Sequence, residues 1–273
     1  MSDEQYLHIR HQVTPEYARE MLELLSAVPD CDNPFMLKSI AEDMGFSIGN
    51  FTSEGGTFAD ILKVLRKAGF ISSFDLTQNS VQLLKVYRNN RNLLPELLHF
   101  VLYTGAWAER RDGIHWGYRQ VCGLLWQSGP IAIDRQRIAS QVMDQAVEHL
   151  GYRPAYSANS VDGVLNWIRA LEPPVIHEDR VLNFERRGFC SPELLLLGID
   201  DLYRKNGVGY QSNLPLDAEA RQYLLQLCLL EPESLERVLS WCISQFDILT
   251  ADSRGAGPFA LLKRPVTLED LCI

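Results

Sequence analysis

From Tyr17 to Val28 the apolar residues Ala18, Met21, Leu22 and Leu25 recur at the spacing of one helix face, and Pro29-Asp30 ends the run. Asp32-Asn33-Pro34 is a cap-and-proline start for a second helix, whose apolar residues are Phe35, Leu37, Ile40, Ala41 and Met44. Gly45 stops it, because glycine accepts the left-handed conformation that closes a helix. A polar, glycine-bearing loop follows from Ser47 to Gly56, and Thr57 is placed to cap a third helix. That helix carries the stripe Phe58, Ile61, Leu62 and Leu65, with Asp60, Lys63 and Lys67 on its other side. Ala68-Gly69-Phe70-Ile71 reads as a helix stop followed by a strand. Asp75-Leu76-Thr77 then closes a hairpin before a helix over Ser80 to Arg88.

This order resembles a winged helix-turn-helix domain over roughly residues 15 to 90. The segments that carry the resemblance are Ile40-Ala41-Glu42-Asp43-Met44-Gly45 and the run from Ile61 through Leu65-Arg66-Lys67-Ala68-Gly69-Phe70 to Ile71. The pattern recurs: Val161, Val164, Leu165 and Ile168 repeat the third-helix stripe at an offset of 103 residues, and Arg169 falls opposite Arg66. Ile138, Val142, Ala146 and Leu150 form the preceding helix, ended by Gly151. Val175-Ile176 starts a strand, His177-Glu178-Asp179 is the expected wing turn, and Arg180 to Phe189 the return strand. A weaker third pattern has helices over Leu194–Leu202 and Ala218–Leu230, and one begun by Pro232. A hairpin then runs from Asp247-Ile248-Leu249-Thr250 through Ser253–Gly257 to Phe259–Leu262.

The expected fold is therefore mainly α with small β-hairpin wings (α+β), in tandem modules over residues 1–91 and 92–190. A helical C-terminal module over 191–273 ends in a hairpin and is a candidate third winged helix. At 273 residues the chain is long enough for several cores, and no stretch reaches the roughly 20 apolar residues of a membrane span. The acidic start Met1-Ser2-Asp3-Glu4 does not read as a secretion signal, so a cytoplasmic location is expected. Six scattered cysteines, none in a CxxC pair, read as reduced thiols, with no metal or cofactor implied.

Charge narrows the function classes. The chain carries −9 overall, divided as −3, −1 and −5 over residues 1–91, 92–190 and 191–273. An acidic protein is a poor non-specific binder of nucleic acid. Every basic residue between Lys85 and Lys205 is nevertheless arginine, whose planar fork suits phosphate, guanine and carboxylate alike. The doublets Arg110-Arg111 and Arg186-Arg187 sit beside acids (Glu109, Asp112, Glu185) and read as solvated ion pairs. The aromatic cluster Tyr103, Trp107, Trp116, Tyr118 and Trp126 reads as core or as a seam between modules. No phosphate loop, nucleophile elbow or zinc helix is present, and the acids at His177-Glu178-Asp179 and Asp200-Asp201 lack the lysine spacing of a nuclease, so a non-enzymatic protein is expected.

In winged helices bound to DNA the third helix enters the major groove and the wing touches the backbone. The resemblance thus implies that the first module presents Ser53, Thr57, Lys63, Arg66 and Lys67 to double-stranded DNA. The second would present Arg153, Asn159, Ser160, Asn166 and Arg169. The run from Ser160 to Trp167 is similar in style to the recognition half of some restriction enzymes, which implies regulation or a DNA-targeting defence with a partner subunit. The chain also resembles acidic winged-helix subunits of chromosome-organising complexes, which use the fold for protein contacts. DNA reading requires the third helices and wings to share a positive face, whereas scaffolding does not.

Overall fold

The computed structural model describes residues 7–48, 56–108, 113–178, 181–252 and 258–272. Ser53, the Arg110-Arg111 doublet, Asp179 of the expected wing turn, Arg180 at the start of the expected return strand, and the turn Ser253–Gly257 lie outside the described residues. The N-terminal unit has three helices, α1 (Pro15–Ala27), α2 (Pro34–Asp43) and α3 (Thr57–Lys67). The short hairpin β1 (Ile71–Ser72) and β2 (Asp75–Leu76) leads into α4 (Gln78–Asn89). Local chemistry sets these bounds. The Thr14 hydroxyl and the Asn33 carboxamide oxygen accept from the first free N–H groups of α1 and α2, and proline occupies the first turn of each. Thr57, expected as a cap, is instead the first residue inside α3. Gly56 stands at the cap, its carbonyl accepting from the Asp60 N–H at 3.0 Å. Thr77 and Ser80 donate hydroxyl hydrogen bonds to the Phe70 carbonyl, locking the hairpin to α4.

The middle and C-terminal units repeat one order of elements. The middle unit contains α6 (Ile114–Ser128), β3 (Ile131–Ala132), α7 (Arg135–Leu150), α8 (Ala158–Ile168), β4 (Ile176–Glu178) and β5 (Leu182–Phe184). The C-terminal unit contains α9 (Pro192–Asn206), β6 (Leu214–Pro215), α10 (Ala218–Cys228), α11 (Leu235–Gln245), β7 (Leu249–Asp252) and β8 (Phe259–Leu262). Each closes a three-stranded antiparallel sheet with its last strand in the middle, in the orders β3-β5-β4 and β6-β8-β7. The first strand of each sheet has two residues, too short to show a period of two in the sequence. The return strand β5 is shorter than Arg180–Phe189, and His177 and Glu178 belong to β4 rather than to the turn. Beyond β5 the chain leaves the sheet, and Arg187 bonds through its backbone to Leu229 and Glu231 instead.

The units meet on α5 (Leu94–Thr104), of whose residues only Pro95 is not buried. A helix buried all round lies at the centre of a core, and its polar groups must find partners there. Glu96 takes the Arg187 guanidinium in a two-pronged ion pair. Arg187 is thus not the solvated cation that its sequence neighbours suggest: its side chain is 0% exposed. Arg186 lies half-buried over the Trp126 ring, whose indole N–H donates to the Leu230 carbonyl at 2.8 Å. Tyr103, Trp116 and Tyr118 are buried as seam and core, whereas Trp107 and Trp126 are half-buried.

His99 joins α5 to both repeating units. Its Nε2 donates to the Leu227 carbonyl at 2.7 Å, which leaves Nδ1 to accept from the Tyr118 hydroxyl at 2.8 Å. Burial dominates its titration, the bond to Leu227 opposes it and Arg187 adds to it, so the pKa falls from 6.5 to about 3. A depressed imidazole is neutral in the fold, whereas the unfolded chain takes up the proton below about pH 6.5. Its contribution is therefore complete above that pH and is lost on acidification toward pH 3, at about 1.4 kcal/mol per pH unit. Urea unfolding at about pH 7 and about pH 5.5 should show a shallower decline for His99→Gln than for the parent. Equal declines would remove His99 from the account.

Candidate functional site

Residues 7–13, ahead of α1, form a strap across the faces that the sequence offers to DNA, with a turn closed by the Val13 N–H donating to the Arg10 carbonyl at 2.9 Å. Leu7, Ile9 and Val13 are buried, and their carbonyls lie against the middle unit. A Cβ on Gly117 of α6 would come within 2.1 Å of the Leu7 carbonyl oxygen, and one on Gly163 of α8 within 1.9 Å of that of Ile9. Trp167 donates its indole N–H to the Val13 carbonyl at 2.9 Å, and Asn166 its carboxamide N–H to the His11 carbonyl at 2.7 Å. From the strap's other edge Arg10 reaches Asp60 of α3 at 3.3 Å. Burial holds the Asp60 carboxyl above its usual range against the pull of Arg10 and Lys63, and burial, Arg10 and Lys63 push His8 down. The strap thus sits between α3 and α8.

This arrangement places the candidate residues one by one. Lys63 and Lys67 are half-buried, and the Lys67 carbonyl lies 3.2 Å from Nε2 of the buried His115. Arg66 is exposed and donates to the Ser73 carbonyl in the hairpin turn at 3.1 Å. Thr57 is half-buried. Ser160 is buried and holds the first turn of α8, its hydroxyl accepting from the Ser157 N–H at 3.1 Å. Asn166 is used by the strap and by Arg169, and Arg169 also pairs with Glu178 of β4. Asn159 and Arg153 are exposed, Arg153 lying 3.9 Å from Asp144. Asp162, the remaining polar side chain of α8, binds Arg135 at 2.9 Å. The two third helices therefore share a face with the strap, and most of their polar groups are spent inside the protein.

The third helix of the C-terminal unit is open by contrast. Glu236, Arg237, Ser240, Trp241 and Ser244 line the exposed side of α11, while Val238, Leu239 and Cys242 face the core. Trp241 is 47% exposed and packs on Phe189 with ring centres 4.7 Å apart. This face is mixed in charge: Glu236 pairs with Arg221, and Arg237 donates to the Gly188 carbonyl. It was missed in the sequence because a solvated helix face looks alike whether or not a partner uses it.

Of the acids weighed for catalysis, Asp179 lies outside the described residues, and Asp200 and Asp201 are committed to structure. Asp200 and Asp201 have 0% exposed side chains. Asp200 accepts from Tyr210 at 2.9 Å and from the Val266 N–H at 3.1 Å and pairs with Arg204. Asp201 accepts from Tyr223 at 2.5 Å and pairs with Lys205. Among the described residues no group of three or more His, Cys, Asp or Glu side chains is placed to hold a metal ion. No helix among them is long and apolar enough to cross a membrane. No family model, curated protein or solved structure matches the chain.

Proposed function

We propose that this chain is a non-catalytic scaffold subunit of three tandem winged-helix modules, using the fold for contacts within itself and with partners instead of reading duplex DNA through α3 and α8. The observation that carries the reading is the strap: Asn166, Trp167, Gly163 and Asp60, all on those two helices, meet residues Ile9 to Val13. A helix that enters a major groove needs an unencumbered polar face, and α8 keeps Asn159 as its one fully exposed residue. The net charge of −9 and the −5 of the C-terminal third support the same reading. A partner subunit has access to the open face of α11. The competing reading, duplex recognition for regulation or defence, draws on Arg66, Arg153 and Asn159, which are exposed near the two helices.

A titration with mixed-sequence duplex at about 50 mM salt separates the two. The variant Lys63→Glu with Lys67→Glu is expected to bind within about twofold of the parent, because neither lysine reads the duplex in the scaffold. A loss of about tenfold or more in a folded double variant would return the site to α3 and overturn the scaffold reading.

A further inference from the structure

The outer side of α4 departs from the acidic character of the chain. No acid occurs between Asp75 and Glu96, whereas Lys85, Arg88 and Arg91 all fall there, together with Asn79, Asn89, Asn90 and Asn92. Spaced by four and three residues, Val81, Lys85 and Arg88 form one exposed stripe, and Arg91 continues it in the helical turn Arg91–Leu93. None of the three cations has an ion-pair partner among the described residues, unlike Arg10, Arg135, Arg169 and Arg204. Three neighbouring cations without ion-pair partners on a chain of −9 make a local concentration of positive charge.

The same helix borders a cleft. Gln78 and Gln82, one turn apart, stand beside the stripe and line a cavity of about 480 Å³ with Asn79. Its apolar side includes Phe100 of α5 and Trp107, and its far rim carries Arg204 of α9, which pairs with Asp200, and Glu269 of the C-terminal segment. Trp107 is held in place: its ring meets Phe70 edge-on at 5.3 Å, and its carbonyl would lie 2.1 Å from a Cβ on Gly69. The carboxamides of Gln78, Asn79 and Gln82 make no hydrogen bond among the described residues, so their donors and acceptors are free to meet a ligand.

We propose that this surface binds single-stranded nucleic acid, with backbone phosphates on Lys85, Arg88 and Arg91 and an unpaired base in the cleft against Trp107. Phosphate accounts for the cations, and an aromatic wall with unspent carboxamides matches the face and edge of a base. An acidic peptide would engage the cations and leave the carboxamides and the indole idle. A base enters a cleft only when it is out of a duplex, which favours a single strand over a double one. The surface uses none of the residues by which α3 and α8 meet the strap, so it stands or falls independently of the scaffold reading.

The test is a titration of the full chain with a labelled mixed-sequence single strand, its duplex and polyglutamate, read by anisotropy and tryptophan fluorescence. The single strand is expected to bind at about 50 mM salt, with a log–log salt slope near about −2 for three phosphates, and to quench emission. The triple variant Lys85→Glu, Arg88→Glu, Arg91→Glu should lose about tenfold or more in affinity without a change in melting temperature. Trp107→Phe should abolish the quenching while retaining binding, and Gln82→Ala should weaken binding severalfold. Absence of binding, equal affinity in the folded triple variant, or quenching unaltered by Trp107→Phe would overturn the proposal. Duplex or polyglutamate binding as tight as the single strand would overturn it as well.

Discussion

Replacing Arg187 by alanine should destabilise the protein by about 3–5 kcal/mol, the range for removing one member of a buried ion pair. The guanidinium serves three parts of the structure at once. Besides Glu96 on α5 it donates to the Cys228 carbonyl at 2.7 Å, at the end of α10, and to the Glu172 carbonyl at 3.1 Å, before β4. Burial penalises its charge, but the attraction and hydrogen bonds of Glu96 outweigh that penalty and hold its pKa above the ordinary value. Alanine would leave the Glu96 carboxylate, 3% exposed, with neither water nor a cation. Replacing both partners, Arg187→Met with Glu96→Leu, should recover much of the loss, because no buried charge remains. It should not recover all of it, since the Cys228 and Glu172 carbonyls lose their donor at about 1–3 kcal/mol for each group left unsatisfied. Urea unfolding measures both. A loss under about 1 kcal/mol for Arg187→Ala would mean that the pair is not the junction described.

Gly163→Ala is the second large effect, and it runs against helix propensity. Within a helix alanine should be favoured over glycine by about 1 kcal/mol. At this position the new Cβ would lie 1.9 Å from the Ile9 carbonyl oxygen and 2.9 Å from its carbon, both backbone atoms that cannot rotate aside. The strap must lift, with roughly 1–3 kcal/mol of overpacking and about 1 kcal/mol for each of the Trp167 and Asn166 bonds it breaks. Net destabilisation is expected despite the propensity gain, with protease cleavage appearing near Leu7 to Val13. A variant as stable as the parent and as resistant in that segment would refute the close approach of strap and helix.

These two residues mark where reading the sequence stops. The Asn33-Pro34 start of α2, the stop at Gly45 and the stripe Phe58, Ile61, Leu62 and Leu65 are legible because a helix is written in neighbours no more than one turn apart. The repetition at Val161, Val164, Leu165 and Ile168 is legible for the same reason, and all four are buried. Strands β3 and β6 leave no such trace, since two residues show no alternation and their pairing partners, Asn183 and Phe184, Phe259 and Ala260, are set by the approach of distant segments.

Faces are harder than elements. Ser160, Asn166 and Arg169 are polar and sit off the apolar stripe, which is all that a sequence records of a surface position. Their use as a cap, a strap anchor and a strand tie depends on residues up to 155 positions away. Gly163 and Gly117 read in sequence as weak points of helices, and only the passing strap gives them a purpose. The sequence by itself determined nine of the helices, several of their caps and the acidic balance, because propensity, capping and charge are local or additive; α5, buried nearly all round, and α6 carry no one-sided stripe to read, and the cap of α3 falls on Gly56 instead of Thr57. The tertiary structure decided which third helix stays open, which arginine is buried and which cations on α4 remain unpaired, because burial and pairing depend on what the rest of the chain brings alongside.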